Sequence, residues 1–152
     1  MQSLNKKNFF VDLDKYTPNM TISKVIKFFE RYGVLFTKTT IQNYVRVGVL
    51  PEPYNKRYYQ KKHMVILLLV YDLKNIFSLD NLKELVAPLF DADDADCLAV
   101  IDYFNNIFNN EIKSGSYALS NDPGAFAPLL ALSAKALADK YIILEELQNS
   151  KN

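Results

Sequence analysis

The chain has 152 residues, 49% of them hydrophobic, which suffices for one ordinary core or for a small domain with a helical appendage. Cys97 is the only cysteine and His63 the only histidine, so one subunit can form neither an internal disulfide nor a Cys/His zinc cage. The longest apolar run covers residues 64–71, whereas a membrane span needs about 20 residues. We therefore expect a cytoplasmic protein without a membrane segment, a signal peptide, a cofactor or a bound metal.

Charge is distributed unevenly along the chain. Residues 1–77 contain thirteen Lys/Arg and five Asp/Glu, a net charge of +8, whereas residues 78–152 contain five and twelve, a net charge of −7. The basic half suggests a polyanionic partner, and the acidic half suggests a region that avoids this partner. Chance segregation of solvated surface charge is the alternative explanation.

Two short helices are predicted before residue 50, after an arm or short lead helix in residues 1–20. Thr21 can cap the first helix, whose apolar residues keep helical spacing until Gly33 stops it. Thr37 can cap the second helix, which ends at Gly48 because the prolines that follow cannot continue it. Two short helices joined in this way indicate a helix-turn-helix.

A small β-wing is predicted between residues 49 and 59. Its two prolines favour extended backbone, Asn55 offers a turn, and residues 57–59 have the aromatic character of a short strand. The next helix is predicted over residues 61–75, and its run 64–70 is apolar on nearly all sides, which indicates a central buried helix. Ser78 can cap a further helix that continues to Pro88.

The acidic half predicts two long helices. The first begins among the aspartates of residues 91–94, where negative charge suits the helix dipole, and the second follows the breaker-rich residues 113–124. The predicted buried positions are Leu98, Ile101, Phe104, Ile107 and Phe108 in the first helix, and Leu130, Ala134, Leu137, Tyr141 and Leu144 in the second. The predicted fold class is therefore mainly α, with a winged helix-turn-helix domain in residues 1–90 and a helical pair in residues 91–152.

The second predicted helix has one face that can pack and one that can contact DNA. The packing face carries Ile41, Tyr44 and Val45, and the other face carries Thr39, Gln42, Asn43 and Arg46. Gln42 and Asn43 can each pair with adenine in the major groove. Phosphate contacts are expected from Lys38, Arg46, Lys56 and Arg57. The alternatives are an ordinary solvated polar face and, for Arg57, a role in bracing the wing.

Lys61 and Lys62 lie at the start of a predicted helix, where the helix dipole disfavours cations. This position predicts a nearby phosphate, and a frayed first turn in water is the alternative. His63 is interpreted as a solvated or phosphate-facing side chain, because no Ser or Cys nucleophile occurs in a recognisable catalytic motif. The aspartates of residues 91–96 lack the glycine and glutamate of a calcium loop, and the aromatic residues 103–108 are expected in the core rather than in a pocket.

Three segments in order resemble the MerR family of bacterial transcription regulators, namely residues 46–51 (RVGVLP), 57–59 (RYY) and 77–85 (FSLDNLKEL). In that family the corresponding pieces are the end of the recognition helix, the arginine and tyrosine closing the wing, and the helix pair beneath it. The resemblance covers about residues 21–89. Residues 40–45 (TIQNYV) depart from the family's frequent Thr-Leu-Arg-Tyr-Tyr-Glu and lack an arginine that commonly serves DNA binding; the wing is also shorter.

The resulting prediction is a sequence-specific DNA-binding transcriptional regulator, without enzymatic activity, that reads duplex DNA with residues 37–47. A homodimer is expected through the C-terminal helices, because the last helix has apolar residues beyond its predicted stripe: Leu129, Leu132, Ile142, Ile143 and Leu147. These residues could instead pack on the winged helix. The alternative function is a protein interaction module on a MerR-like scaffold that does not bind DNA.

Overall fold

The computed structural model describes residues 12–13, 15, 19–114 and 127–150. Helices dominate these residues, which confirms the mainly α fold class. In chain order they are α1 (Ile22–Glu30), α2 (Lys38–Arg46), α3 (Lys61–Leu73), α4 (Leu79–Val86), a 3₁₀ turn (Ala87–Asp91), α5 (Asp94–Ser114) and α6 (Ala127–Ser150). None of the described helices combines the length and the apolarity that crossing a membrane requires. The chain divides into two compact units, Met1–Leu98 and Ala99–Asn152.

The first unit is built around α3, which is buried on nearly all sides. Every residue from Met64 to Val70 is at most 1% exposed, which confirms the prediction of a central buried helix. Phe29 of α1 meets Phe36 edge to face, with 4.9 Å between ring centroids, and Phe36 in turn meets Tyr71 of α3 at 6.2 Å. These aromatic contacts join α1, the α1–α2 connection and α3 in one core.

The helix boundaries follow the capping residues of the sequence. Thr37 Oγ1 accepts a hydrogen bond from the Thr40 N–H at 3.1 Å, and Ser78 Oγ accepts one from the Asn81 N–H at 3.2 Å. Thr21 occupies the predicted cap position of α1, but its side chain makes no capping hydrogen bond. The predicted helix over residues 61–75 ends at Leu73, two residues early.

The segment predicted as a β-wing contains isolated backbone pairings instead of a strand pair. Among the described residues, the β-structure consists of two antiparallel bridges, Met20 with Tyr59 and Tyr54 with Tyr58. Pro51 and Pro53 lack the backbone N–H that a ladder needs, so pairing cannot extend back from Tyr54. The pairing of Met20 with the end of this segment was not predicted from the sequence.

The second unit contains most of α5 and all of α6. The predicted core positions Ile101, Phe104, Ile107 and Phe108 are buried, as are Ala134 and Leu137. Phe108 meets Tyr141 edge to face at a centroid distance of 5.6 Å. This ring contact joins the two helices.

Two of the predicted core positions are wrong. Leu98 is 42% exposed, because Cys97 takes the inward position one residue earlier and forms a helical stripe with Ile101 and Phe104. Leu144 is 48% exposed, since it lies near the end of α6, where the side chains of residues 143–146 are all exposed. The side chains at positions 129, 130 and 147 lie outside the described part of the chain.

Candidate nucleic-acid interface

The polar face of α2 points to solvent along its length. Lys38, Thr39, Gln42 and Arg46 are exposed and Asn43 is half-buried. On the opposite face, Ile41 is 0% and Tyr44 7% exposed, as the sequence predicted, while Val45 is half-buried. The structure therefore brings five of the predicted site residues together on one exposed helical surface.

Within this face, Arg46 and Asn43 are already linked. Arg46 Nη2 donates to Asn43 Oδ1 at 2.5 Å, across one turn of the helix. The bond uses one of the two lone pairs of the Asn43 amide oxygen and leaves its two N–H donors for another partner. Gln42 is exposed beside this pair.

The C-terminal end of α2 is fixed by backbone hydrogen bonds and a glycine turn. The Tyr44 carbonyl accepts from the N–H groups of Val49 at 2.9 Å and Leu50 at 3.1 Å. Gly48 has φ +85°, a left-handed conformation that strongly favours glycine. Val49 and Leu50 are 1% exposed, so this turn anchors α2 in the core.

Lys83 of α4 lies against the same turn and was missed in the sequence. A methyl group at Gly48 would lie 2.9 Å from Lys83 Cε and 3.1 Å from Lys83 Nζ. The ammonium therefore sits next to the C-terminal end of α2, where the helix dipole favours a cation. Position 83 falls in the acidic half of the sequence, and no local pattern links it to a turn 35 positions earlier.

Two basic predicted site residues form the tip of a tight turn between Tyr54 and Tyr58. The backbones of these tyrosines exchange hydrogen bonds of 2.8 Å and 2.9 Å. Asn55 and Lys56 have φ of 53° and 58°, so the chain reverses through two left-handed residues, and Asn55 occupies the turn that the sequence predicted. Lys56 and Arg57 are exposed at this basic turn, with the Arg57 guanidinium 5.4 Å from the Tyr58 ring centroid.

His63 is buried, so its interpretation as a solvated or phosphate-facing side chain is wrong. It is 1% exposed, and its ring meets Tyr59 edge to face at 5.3 Å. Nδ1 accepts from the Gln60 N–H at 2.9 Å, which assigns the proton to Nε2, and Nε2 donates to the carbonyls of Pro51 at 3.1 Å and Glu52 at 3.2 Å. The imidazole thus fastens the segment before the basic turn to the start of α3.

Burial determines the charge of this histidine. Desolvation is the main cause that lowers the pKa of His63 to about 4, and the neighbouring charge of Lys62 acts in the same direction. The carbonyls that accept from the ring oppose the shift only partly. His63 is therefore neutral at pH 7 and serves as a structural hydrogen-bonding group.

Lys61 and Lys62 are engaged within the chain. Lys62 Nζ donates to the Phe90 carbonyl at 2.8 Å, and Lys61 Nζ lies 3.9 Å from Asp94 Oδ2. Both lysines line a groove of about 620 Å³ with Gln60 and residues 92–95. These acceptors offset the unfavourable position of two cations at a helix start.

The aspartates at the start of α5 act as helix-start groups. Asp93 Oδ1 accepts from the Asp96 N–H at 2.8 Å, which is N-terminal capping of α5.

The same aspartates affect Cys97. Burial of the Cys97 thiol and, to a smaller extent, the negative charges of these aspartates raise its pKa to about 11. In the described part of the chain, no group of three or more His, Cys, Asp or Glu side chains could hold a metal ion.

Residues 13–110 match the model of one protein family, described as a domain of unknown function (DUF1836). The chain belongs to this family. The matched residues include α2, the basic turn and α3, and therefore the whole candidate interface. Comparison with curated proteins and with solved structures gives no significant match. The family description assigns no activity, so function has to be inferred from the surface itself.

Proposed function

We propose that the protein is a cytoplasmic transcriptional regulator that binds duplex DNA sequence-specifically through a MerR-like winged helix-turn-helix. The observation that carries the proposal is the polar face of α2, on which four of the five predicted contact residues are exposed. Ile41 and Tyr44 hold the opposite face in the core, so this surface is presented on a rigid element. The net charge of +8 in residues 1–77 adds the attraction that a polyanion requires.

In this proposal Gln42 and Asn43 read base edges in the major groove. A side-chain amide that pairs bidentately with adenine discriminates against other bases by about 1–3 kcal/mol. Gln42 is exposed and can use both its donor and its acceptor. Asn43 would act first through its N–H donors, because its oxygen already accepts a hydrogen bond from Arg46 in the free protein.

Phosphate contacts are assigned to Lys38 and Arg46 on α2 and to Lys56 and Arg57 at the basic turn. All four side chains are exposed, and the two elements are fixed to the same core by the Tyr44 carbonyl and by His63. Lys61 and Lys62 would have to release Asp94 and Phe90 before contacting DNA, so we leave them outside the proposed interface.

Homodimerisation through α6 is part of the same proposal. Leu132, Ile143 and Leu144 are 52%, 59% and 48% exposed on this helix. Burial of such side chains against a second copy would stabilise a two-fold dimer, which would present two α2 helices to two half-sites of a palindromic target.

The decisive experiment measures binding to duplex DNA as a function of salt. If four cations of each subunit contact phosphates, the slope of log affinity against log salt concentration should be about −7 for a dimer, at about −0.9 for each contact. Affinity that does not change with salt, or no binding at low salt, contradicts the proposal. That result would favour the protein interaction module.

Single substitutions separate the two kinds of contact. Gln42→Ala should relax discrimination at one base position, whereas Arg57→Ala should weaken binding to all duplexes alike and reduce the salt slope. Lys74→Ala, just after α3, removes the same charge as Arg57→Ala at an exposed position outside the proposed DNA and dimer contacts and is the matched control. If both Gln42→Ala and Arg57→Ala lose the same affinity for specific DNA as for random DNA, the assignment of Gln42 to a base and Arg57 to a phosphate is refuted.

A further inference from the structure

We infer that a basic groove on α1 is a second contact with the DNA backbone, an inference that rests on the proposed function. The groove has a volume of about 330 Å³ and is lined by Lys24, Lys27, Phe28 and Arg31. Spacings of three and four residues place the three cations on one side of the helix. None of them was assigned a role from the sequence.

The two lysines of the groove form no ion pair within the described residues. Lys24 and Lys27 are exposed, and in the part of the chain that the structure describes neither forms an ion pair or a hydrogen bond. Lys24 lies in the first turn of α1, which contains no acidic residue and where the helix dipole disfavours a cation. Lys24 and Lys27 also repel each other across one helical turn. An external anion would relieve both effects.

The chemistry of the groove favours a phosphodiester over an acidic peptide. Its apolar floor is Phe28, which is only 2% exposed, so an amphipathic peptide would bury almost no additional apolar surface there. A phosphate requires only the cations. α1 packs directly on α2, and the inference places the backbone of a duplex bound by α2 against this groove.

Arg31 is shared with another group and is kept intact in the test. The pKa of Asp12 is lowered chiefly by a hydrogen bond from Tyr32 and, to a smaller extent, by the charges of Lys15 and Arg31. Removal of Arg31 would therefore change the electrostatic environment of Asp12 as well as the groove. Lys24 and Lys27 carry no such second role.

The test compares the salt dependence of DNA binding between the full-length wild type and Lys24→Gln/Lys27→Gln. Two lost phosphate contacts should make the slope of log affinity against log salt shallower by about 1.8 for each subunit bound. For one bound subunit, the loss of affinity should be about twelvefold larger at 50 mM than at 200 mM salt. Lys24→Arg/Lys27→Arg should retain the wild-type slope, because the charges remain.

Lys74→Gln, just after α3, removes one exposed charge outside the proposed DNA and dimer contacts and should leave the slope unchanged. The groove contact is overturned if the α1 double variant keeps the wild-type slope, or if Lys74→Gln makes the slope shallower by about 0.9, the change that one lost phosphate contact predicts. Either result leaves the proposed function unaffected. Absence of DNA binding by the wild type overturns both. If Lys24→Gln/Lys27→Gln keeps the wild-type salt slope for DNA but loses binding to poly-glutamate, the groove binds an acidic protein segment. That result also overturns the DNA contact.

Discussion

At the scale of single residues, His63 makes stability depend on pH. Its pKa is about 4 in the folded protein and about 6.5 when unfolded, so the unfolded chain binds the proton more readily. The free energy of unfolding therefore keeps the full contribution of the neutral imidazole above pH 6.5. This contribution is lost as the pH falls towards 4, because protonation of His63 favours the unfolded chain. A shift of this size corresponds to about 3 kcal/mol at most.

The difference in free energy of unfolding between the wild type and His63→Asn should depend on pH. Chemical denaturation at pH 7 and at about pH 5 should give a free energy of unfolding that falls more steeply for the wild type than for the variant. Titrating carboxylates act on both proteins, so the difference isolates His63. A gap that stays constant over this range would contradict the buried neutral imidazole.

The two described glycines with positive φ provide a matched pair. Gly33→Ala should cost about 1–2 kcal/mol from backbone strain alone, because nothing lies within 4 Å of the added methyl group at φ +77°. Gly48→Ala, at φ +85°, should cost about as much, because Lys83 Cε, which the methyl group would meet at 2.9 Å, belongs to the far end of a flexible side chain that can move aside. Chemical denaturation should therefore show similar losses of unfolding free energy for the two variants, and a clearly larger loss for Gly48→Ala would contradict a Lys83 side chain that moves aside.

At the scale of the element, α2 depends on its N-terminal cap. Thr37→Ala removes the bond from Thr40 N–H to Oγ1 and should lower the free energy of unfolding by about 1 kcal/mol. Thr21→Ala at the start of α1 is the control, because Thr21 makes no side-chain capping bond and its loss should be close to neutral. Urea titrations that show the same loss for both variants would refute the cap assignment.

Local patterns predicted the helices because their causes lie within one or two turns. Thr37 and Ser78 mark helix starts, and the apolar run in α3 marks the central helix, since capping and burial depend on neighbouring residues. The polar face of α2 was predicted for the same reason. His63 was misread because its partner, the Pro51 carbonyl, is 12 positions away; the Phe90 carbonyl that accepts from Lys62 is 28 positions away and has no local signal either.

At the scale of the whole molecule, the exposed leucine and isoleucine side chains of α6 predict self-association. Sedimentation of the full chain at tens of micromolar should show a dimer, and Ile143→Lys should shift it towards monomer because a charge would then lie in the apolar contact. Leu35→Lys, at a position 79% exposed in the first unit, is the matched control and should remain dimeric. A wild type that sediments as a monomer would exclude the proposed dimer.

The backbone pairing of Met20 with Tyr59 joins the two ends of the segment that carries the proposed recognition elements. The two residues exchange hydrogen bonds of 3.2 Å and 2.8 Å, and the segment 21–58 between them carries α1, α2 and the basic turn. The entropy lost in joining the ends of such a segment depends only weakly on its length. The segment therefore tolerates insertions in its exposed turns but not the loss of the pairing of Met20 with Tyr59. Opening of this one pairing would release the chain before α1 and the chain after the basic turn together, whereas Val49 and Leu50 would still hold α2 and His63 would still hold the segment before the turn.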